Sequence, residues 1–133
     1  MRLVNARTDR ILADRTELAD TRKTRKKGLL GRDSLPAGSA LIIVPCFAVH
    51  TIGMRFPIDV VFVDAHGRVK KIVKDLPPLR LAGCASARAV VEMAAGTLVP
   101  DGLLEIGDRL CLELGAHDAP PPMTWASVSP AAG

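Results

Sequence analysis

Hydrophobic positions do not keep one period along this chain. Residues 39–45, SALIIVP, and 58–63, IDVVFV, are almost continuously apolar and rich in β-branched side chains, the pattern of strands buried on both faces. Between them Phe47 to Thr51 is a second extended piece, broken by Gly53 and Pro57. DAHG at 64–67 reads as a turn and RVKKIV at 68–73 alternates, which makes a hairpin with 58–63. Val69 and Ile72 are out of strict phase, so the pairing requires a bulge.

Outside this centre the pattern weakens. Residues 10–19, RILADRTELA, have a loose period of two and predict an edge strand. Asp20 or Thr21 can cap a helix over 22–30, which Gly28 weakens and Gly31 can stop, with Leu29 and Leu30 docking it. After Pro77-Pro78, LRLAGCASA is open between loop and strand. In 89–95, AVVEMAA, Val90-Val91 and the bounding Gly96 favour a strand over a helix. VPDG at 99–102 turns the chain into LLEIGDRLCLEL, two apolar pieces hinged in a hairpin turn at Gly107-Asp108. Many short strands and one helix predict a mainly β fold, a compact sandwich or barrel.

With 133 residues the chain has enough surface to bury a self-sufficient core as one domain, placed at 1–115. Residues 116–133, with four prolines and few charges, read as a flexible tail. The longest apolar run, Ala40 to Val49, is too short to span a membrane as a helix, and the charged opening has no signal-peptide block. Cys46, Cys84 and Cys111 match no disulfide framework, which fits a reducing compartment and a cytoplasmic location.

Charge changes the picture locally. Through Arg32 there are ten Lys and Arg against four Asp and Glu, so the net +4 of the chain belongs to its first quarter. RKTRKK at 22–27 could attract phosphate backbones, but a solvated helix face is the usual fate of such a run. Three phenylalanines and one tryptophan leave little for base stacking, which makes nucleic-acid binding the weakest of the readings.

The candidate chemistry lies where polar residues interrupt apolar strands. Asp59, between Ile58 and Val60, must have a partner or lie at a mouth, because an isolated buried carboxylate is costly. His50, Arg55 and Arg32 are candidate partners, and backbone N–H groups are the plainer alternative. Glu92, flanked by Val91 and Met93, poses the same question: it either faces Asp59 across a cleft or pairs with Arg32 or Arg80. Cys46 and His50 share a strand face but stand about 13 Å apart if fully extended, so a metal or thiol site with Cys84 needs a bend. No CxxC, HExxH, Walker or dinucleotide motif supports a metal or cofactor.

At these residues the chain resembles the domain-of-unknown-function family 192. The carriers are GLLGR at 28–32, HTIGMRFPIDVVFVD at 50–64, VVEMAAG at 90–96 and Gly107-Asp108, in order from about Ala13 to Leu114. The resemblance implies a jelly-roll-like sandwich with one short helix near its start, and no assigned activity. It singles out Arg32, His50, Asp59, Glu92 and Asp108 as motif positions. The reading that follows is a binding or accessory module whose polar cleft, near these residues, takes a small polar ligand or a partner segment. Its alternatives are a metal- or thiol-dependent enzyme built on Cys46, His50, Cys84 and nearby carboxylates, and nucleic-acid binding through 22–27.

Overall fold

The computed structural model describes residues 1–100, 102–114 and 125. Its elements are β1 (Arg2–Asn5), β2 (Arg10–Ala13), β3 (Arg15–Ala19), α1 (Arg22–Lys27), β4 (Ser39–Ile43), β5 (Ala48–His50), β6 (Ile58–Val63), β7 (Val69–Leu76), β8 (Leu81–Gly83), β9 (Ala89–Ala94) and β10 (Leu110–Glu113). A central sheet runs β3-β4-β9-β6-β7, a second runs β10-β1-β2, and β5 and β8 form a two-stranded ribbon. The fold is mainly β with one short helix, sandwich-like, and the described residues form no closed barrel.

The three apolar strands β4, β9 and β6 lie side by side in the central sheet, where both faces are covered. All six residues of β6 are buried. One face, through Ile42, Val61, Val63, Val91 and Met93, packs on Leu3, Leu12, Ala13 and Leu110 of the β10-β1-β2 sheet. The other, through Leu41, Ile43, Val60, Phe62 and Val90, packs on Leu29 and Leu35 near α1 and on Val49 of the ribbon. Continuous hydrophobicity in these strands is thus the mark of a middle layer.

The expected edge strand over 10–19 is two strands. Asp14 and Arg15 both donate backbone hydrogen bonds to the Gly38 carbonyl, 2.9 and 3.1 Å, and the chain changes sheets there. α1 is the crossover that lets β3 and β4 run parallel. Thr21 caps it in a reciprocal box with Thr24, and it ends at Lys27, three residues earlier than expected, because Gly28 at φ +48 leaves the helical region. Leu29 is buried and Leu30 half-buried. The β6–β7 hairpin forms, with register shifts at Ile58/Val60 and Phe62/Val63 that account for the phase of Val69 and Ile72.

Two expectations at the end of the chain change. Residues 103–106 form turns rather than a strand, and β10 pairs with β1 instead of closing a hairpin at Asp108. The tail assignment falls outside the described residues except at Trp125, which is buried and donates its Nε1–H to the Leu110 carbonyl at 3.1 Å. Gly67 makes room for that ring: a Cβ there would stand 2.4 Å from Nε1.

Candidate functional site

The register of β6 and β9 decides where the two buried acids point. Asp59 is opposite Met93 and Val60 is opposite Glu92. Opposed residues share a face and successive residues alternate, so Asp59 and Glu92 lie on opposite faces of the sheet. The expected cleft between them does not exist.

Asp59 is fully buried and satisfied by backbone. Its Oδ1 accepts from the Asp75 N–H at 2.8 Å, beside the irregular β6–β7 register, and its Oδ2 accepts from the Leu98 N–H at 2.9 Å. None of its three candidate side-chain partners reaches it. Arg55 pairs with Asp33, Arg32 donates to Glu17 at 2.7 Å, and His50 is exposed on the ribbon. Asp59 stitches β7 to the segment after β9.

Asp108 is likewise a structural anchor. It accepts from Arg7 through both oxygens, 2.7 and 3.0 Å, from Asn5 Nδ2 at 2.9 Å and from the Glu105 N–H at 2.8 Å. The Arg7 hydrogen bonds, helped by those from Glu105 and Asn5, hold its carboxyl down at about 2. These contacts fix the loop before β10 to the turn between β1 and β2.

Glu92 is different. It is 4% exposed, and its Oε2 has no hydrogen-bond partner among the described residues. Burial pushes its carboxyl up to about 7, against the lowering field of Arg32, whose own hydrogen bond goes to Glu17. The residue lines a cavity of about 150 Å³ between α1, β4 and the ribbon. Leu29, Ile43, Val49 and Met54 supply apolar wall, while Arg25, Lys26, Lys27 and His50 also line it. Glu92 is the one acid among the lining residues.

Cys46 lines the same cavity. Its thiol donates to the Ala48 carbonyl at 3.1 Å, not to His50, and burial raises its pKa. That is the opposite of what an activated nucleophile needs. Cys84 sits next to Ser86, 3.5 Å between Sγ and Oγ, and all three cysteines are free. Among the described residues no three His, Cys, Asp or Glu side chains gather as a metal cluster.

Of the five expected site residues, His50 and Glu92 meet at one cavity. Arg32 lines a neighbouring depression with Glu17, Thr24 and Lys27, while Asp59 and Asp108 belong elsewhere. The sequence reading missed the rim. Arg25, Lys26 and Lys27 read as a solvated run, and nothing in the local pattern tells that their helix crosses over Glu92.

A small sandwich-like β domain with a crossover helix over a buried acid is the class this geometry defines. The chain belongs to the DUF192 family (Uncharacterized ACR), whose profile matches residues 3–112. No curated protein matches it. Two solved structures share the fold. A "putative transcription regulator" from Sinorhizobium meliloti 1021 has a TM-score of 0.69 at 24% identity, covering 82% of this chain and 88% of that one. A protein of unknown function from Novosphingobium aromaticivorans DSM 12444 has a TM-score of 0.68 at 22% identity, covering 84% and 82%.

Proposed function

We propose that this domain is a binding module that takes a small polar ligand in the cavity beneath α1. The observation that carries the reading is Glu92, a buried acid that lines the cavity and whose Oε2 has no hydrogen-bond partner among the described residues. An unpartnered buried acceptor costs a protein about 1–3 kcal/mol or more, and a ligand donor would remove that cost. Sites built this way combine apolar walls with a few convergent polar groups.

The thiol-enzyme alternative has weaker support, since Cys46 is a hydrogen-bonded thiol with a raised pKa. Nucleic-acid binding gains a motive from the name of one structural neighbour and from the exposed basic face of α1. A six-residue helix without aromatic partners offers little to read bases with. No helix among the described residues is long and apolar enough to cross a membrane, and the three free thiols support the cytoplasmic placement.

Thermal-shift screening of the wild-type protein and of Ala48→Trp against a panel of polar small molecules tests the reading. Ala48 is exposed at the cavity, so a tryptophan there would plug it without disturbing the core. Stabilisation by one chemical class in the wild type, lost in the variant, is the expected outcome. A panel that stabilises neither protein would remove the binding role.

A further inference from the structure

The lining of the cavity is polarised, and the polarity specifies a ligand. Its one acid, Glu92, is buried in the sheet, and its cations Lys26 and Lys27 are exposed on α1 with Arg25 half-buried beside them. Arg25 is anchored by its Nη1 bond to the Asp20 carbonyl at 3.1 Å, so the rim is ordered at one point. Arg25, Lys26 and Lys27 form the last turn of the helix, where carbonyl ends carry partial negative charge that cations offset.

We propose that the ligand is a small amino acid, its ammonium group on the Glu92 carboxylate and its carboxylate on the Arg25, Lys26 and Lys27 rim. This deepens the binding reading above and rests on it. An ammonium brings three donors and a full charge to an acid that, among the described residues, has an oxygen without a partner and no hydrogen-bonded cation. A carboxylate at the inner end would meet like charge, and a simple amine would leave its tail among three cations. The cavity, about 150 Å³, is of the size that holds a benzene-sized molecule, which suits a ligand of about four to eight non-hydrogen atoms. Leu29, Ile43, Val49 and Met54 suit the short methylene link between its two ends.

The test is a set of heteronuclear NMR titrations with three probes that share a four-carbon chain, γ-aminobutyrate, butyrate and butylamine, with glycine and β-alanine as shorter zwitterions. At least one zwitterion should shift the amides of Cys46, Val49 and Glu92, and butyrate and butylamine should bind about tenfold more weakly or not at all. Glu92→Gln should weaken the zwitterion about tenfold while its spectrum stays folded, and the double change Lys26→Ala, Lys27→Ala should weaken it through the other end. Equal binding of butyrate or butylamine would overturn the two-ended assignment. If no zwitterion binds while another compound of the polar panel shifts the same amides, the ligand class falls and the binding reading stands. If nothing shifts them, both fall.

Discussion

Asp59 and Glu92 are two buried acids on adjacent strands, one residue apart in register, and they face opposite layers of the molecule. Asp59 spends both oxygens on backbone N–H groups that an irregular register and a loop would otherwise leave open. Glu92 has an oxygen with no hydrogen-bond partner among the described residues, and burial pushes its carboxyl up to about 7. The contrast teaches that burial of an acid does not by itself mark a site. What separates a structural acid from a candidate binding acid is whether the fold has already supplied its donors.

Removing the satisfied acid should have the largest effect. Asp59→Ala strands the N–H groups of Asp75 and Leu98 and should destabilise the fold by about 3–4 kcal/mol in urea denaturation. A loss below about 1 kcal/mol would erase the distinction between the two acids.

Glu92 should behave in the reverse sense. Its folded pKa, about 7, lies above the ordinary 4.5, so the folded chain holds this proton more tightly than the unfolded chain does. Its contribution is fully present below about pH 4.5 and is lost as pH rises through about 7, a fall of about 3 kcal/mol. Glu92→Gln should therefore match the wild type near pH 4 and exceed it by about 3 kcal/mol at pH 8. Urea midpoints at the two values check this, and subtracting variant from wild type cancels the histidines. A pH-independent difference would mean that Glu92 has a partner in solution.

Asp108 extends the comparison to a third acid, one held down instead of up. Its pKa is about 2 against an ordinary 3.8, so its stabilisation is present above about 3.8 and is lost as pH falls through about 2. Asp108→Asn should cost about 1–2 kcal/mol at pH 7, with a difference that shrinks as the solution is acidified. The smallest effect belongs to the rim. Lys26→Glu with Lys27→Glu should cost no more than about 1 kcal/mol, since both are exposed and lose only their interaction with the helix C-terminus. The same variant decides the nucleic-acid alternative: salt-sensitive DNA binding in the wild type that the reversal abolishes would revive it.

Much of the fold was legible from pattern. Continuous apolar runs located β4 and β6, Val90-Val91 located β9, DAHG placed a hairpin turn, and the phase of Val69 and Ile72 called for the irregularity found there. The short strands were not legible. β1 and β8, at four and three residues, are too brief to show a period, and the break at Asp14 depends on the distant Gly38 carbonyl. The site was half legible for the same reason. Glu92 and Asp59 have the same local signature, an acid among β-branched or apolar neighbours. Only strand register, a non-local property, sends one to a bulge and the other to a cavity.

The pairing of β1 with β10 sets Arg2 opposite Glu113, joined by a hydrogen-bonded ion pair at 3.1 Å. More than a hundred residues separate the two strands along the chain. Until Leu110 to Glu113 dock, β1 has only β2 beside it and one open edge. The layer that covers the Val61, Val63 and Met93 face is unfinished until then. Closing so long a loop is entropically demanding and slow, so this pairing should be among the last steps by which the domain folds.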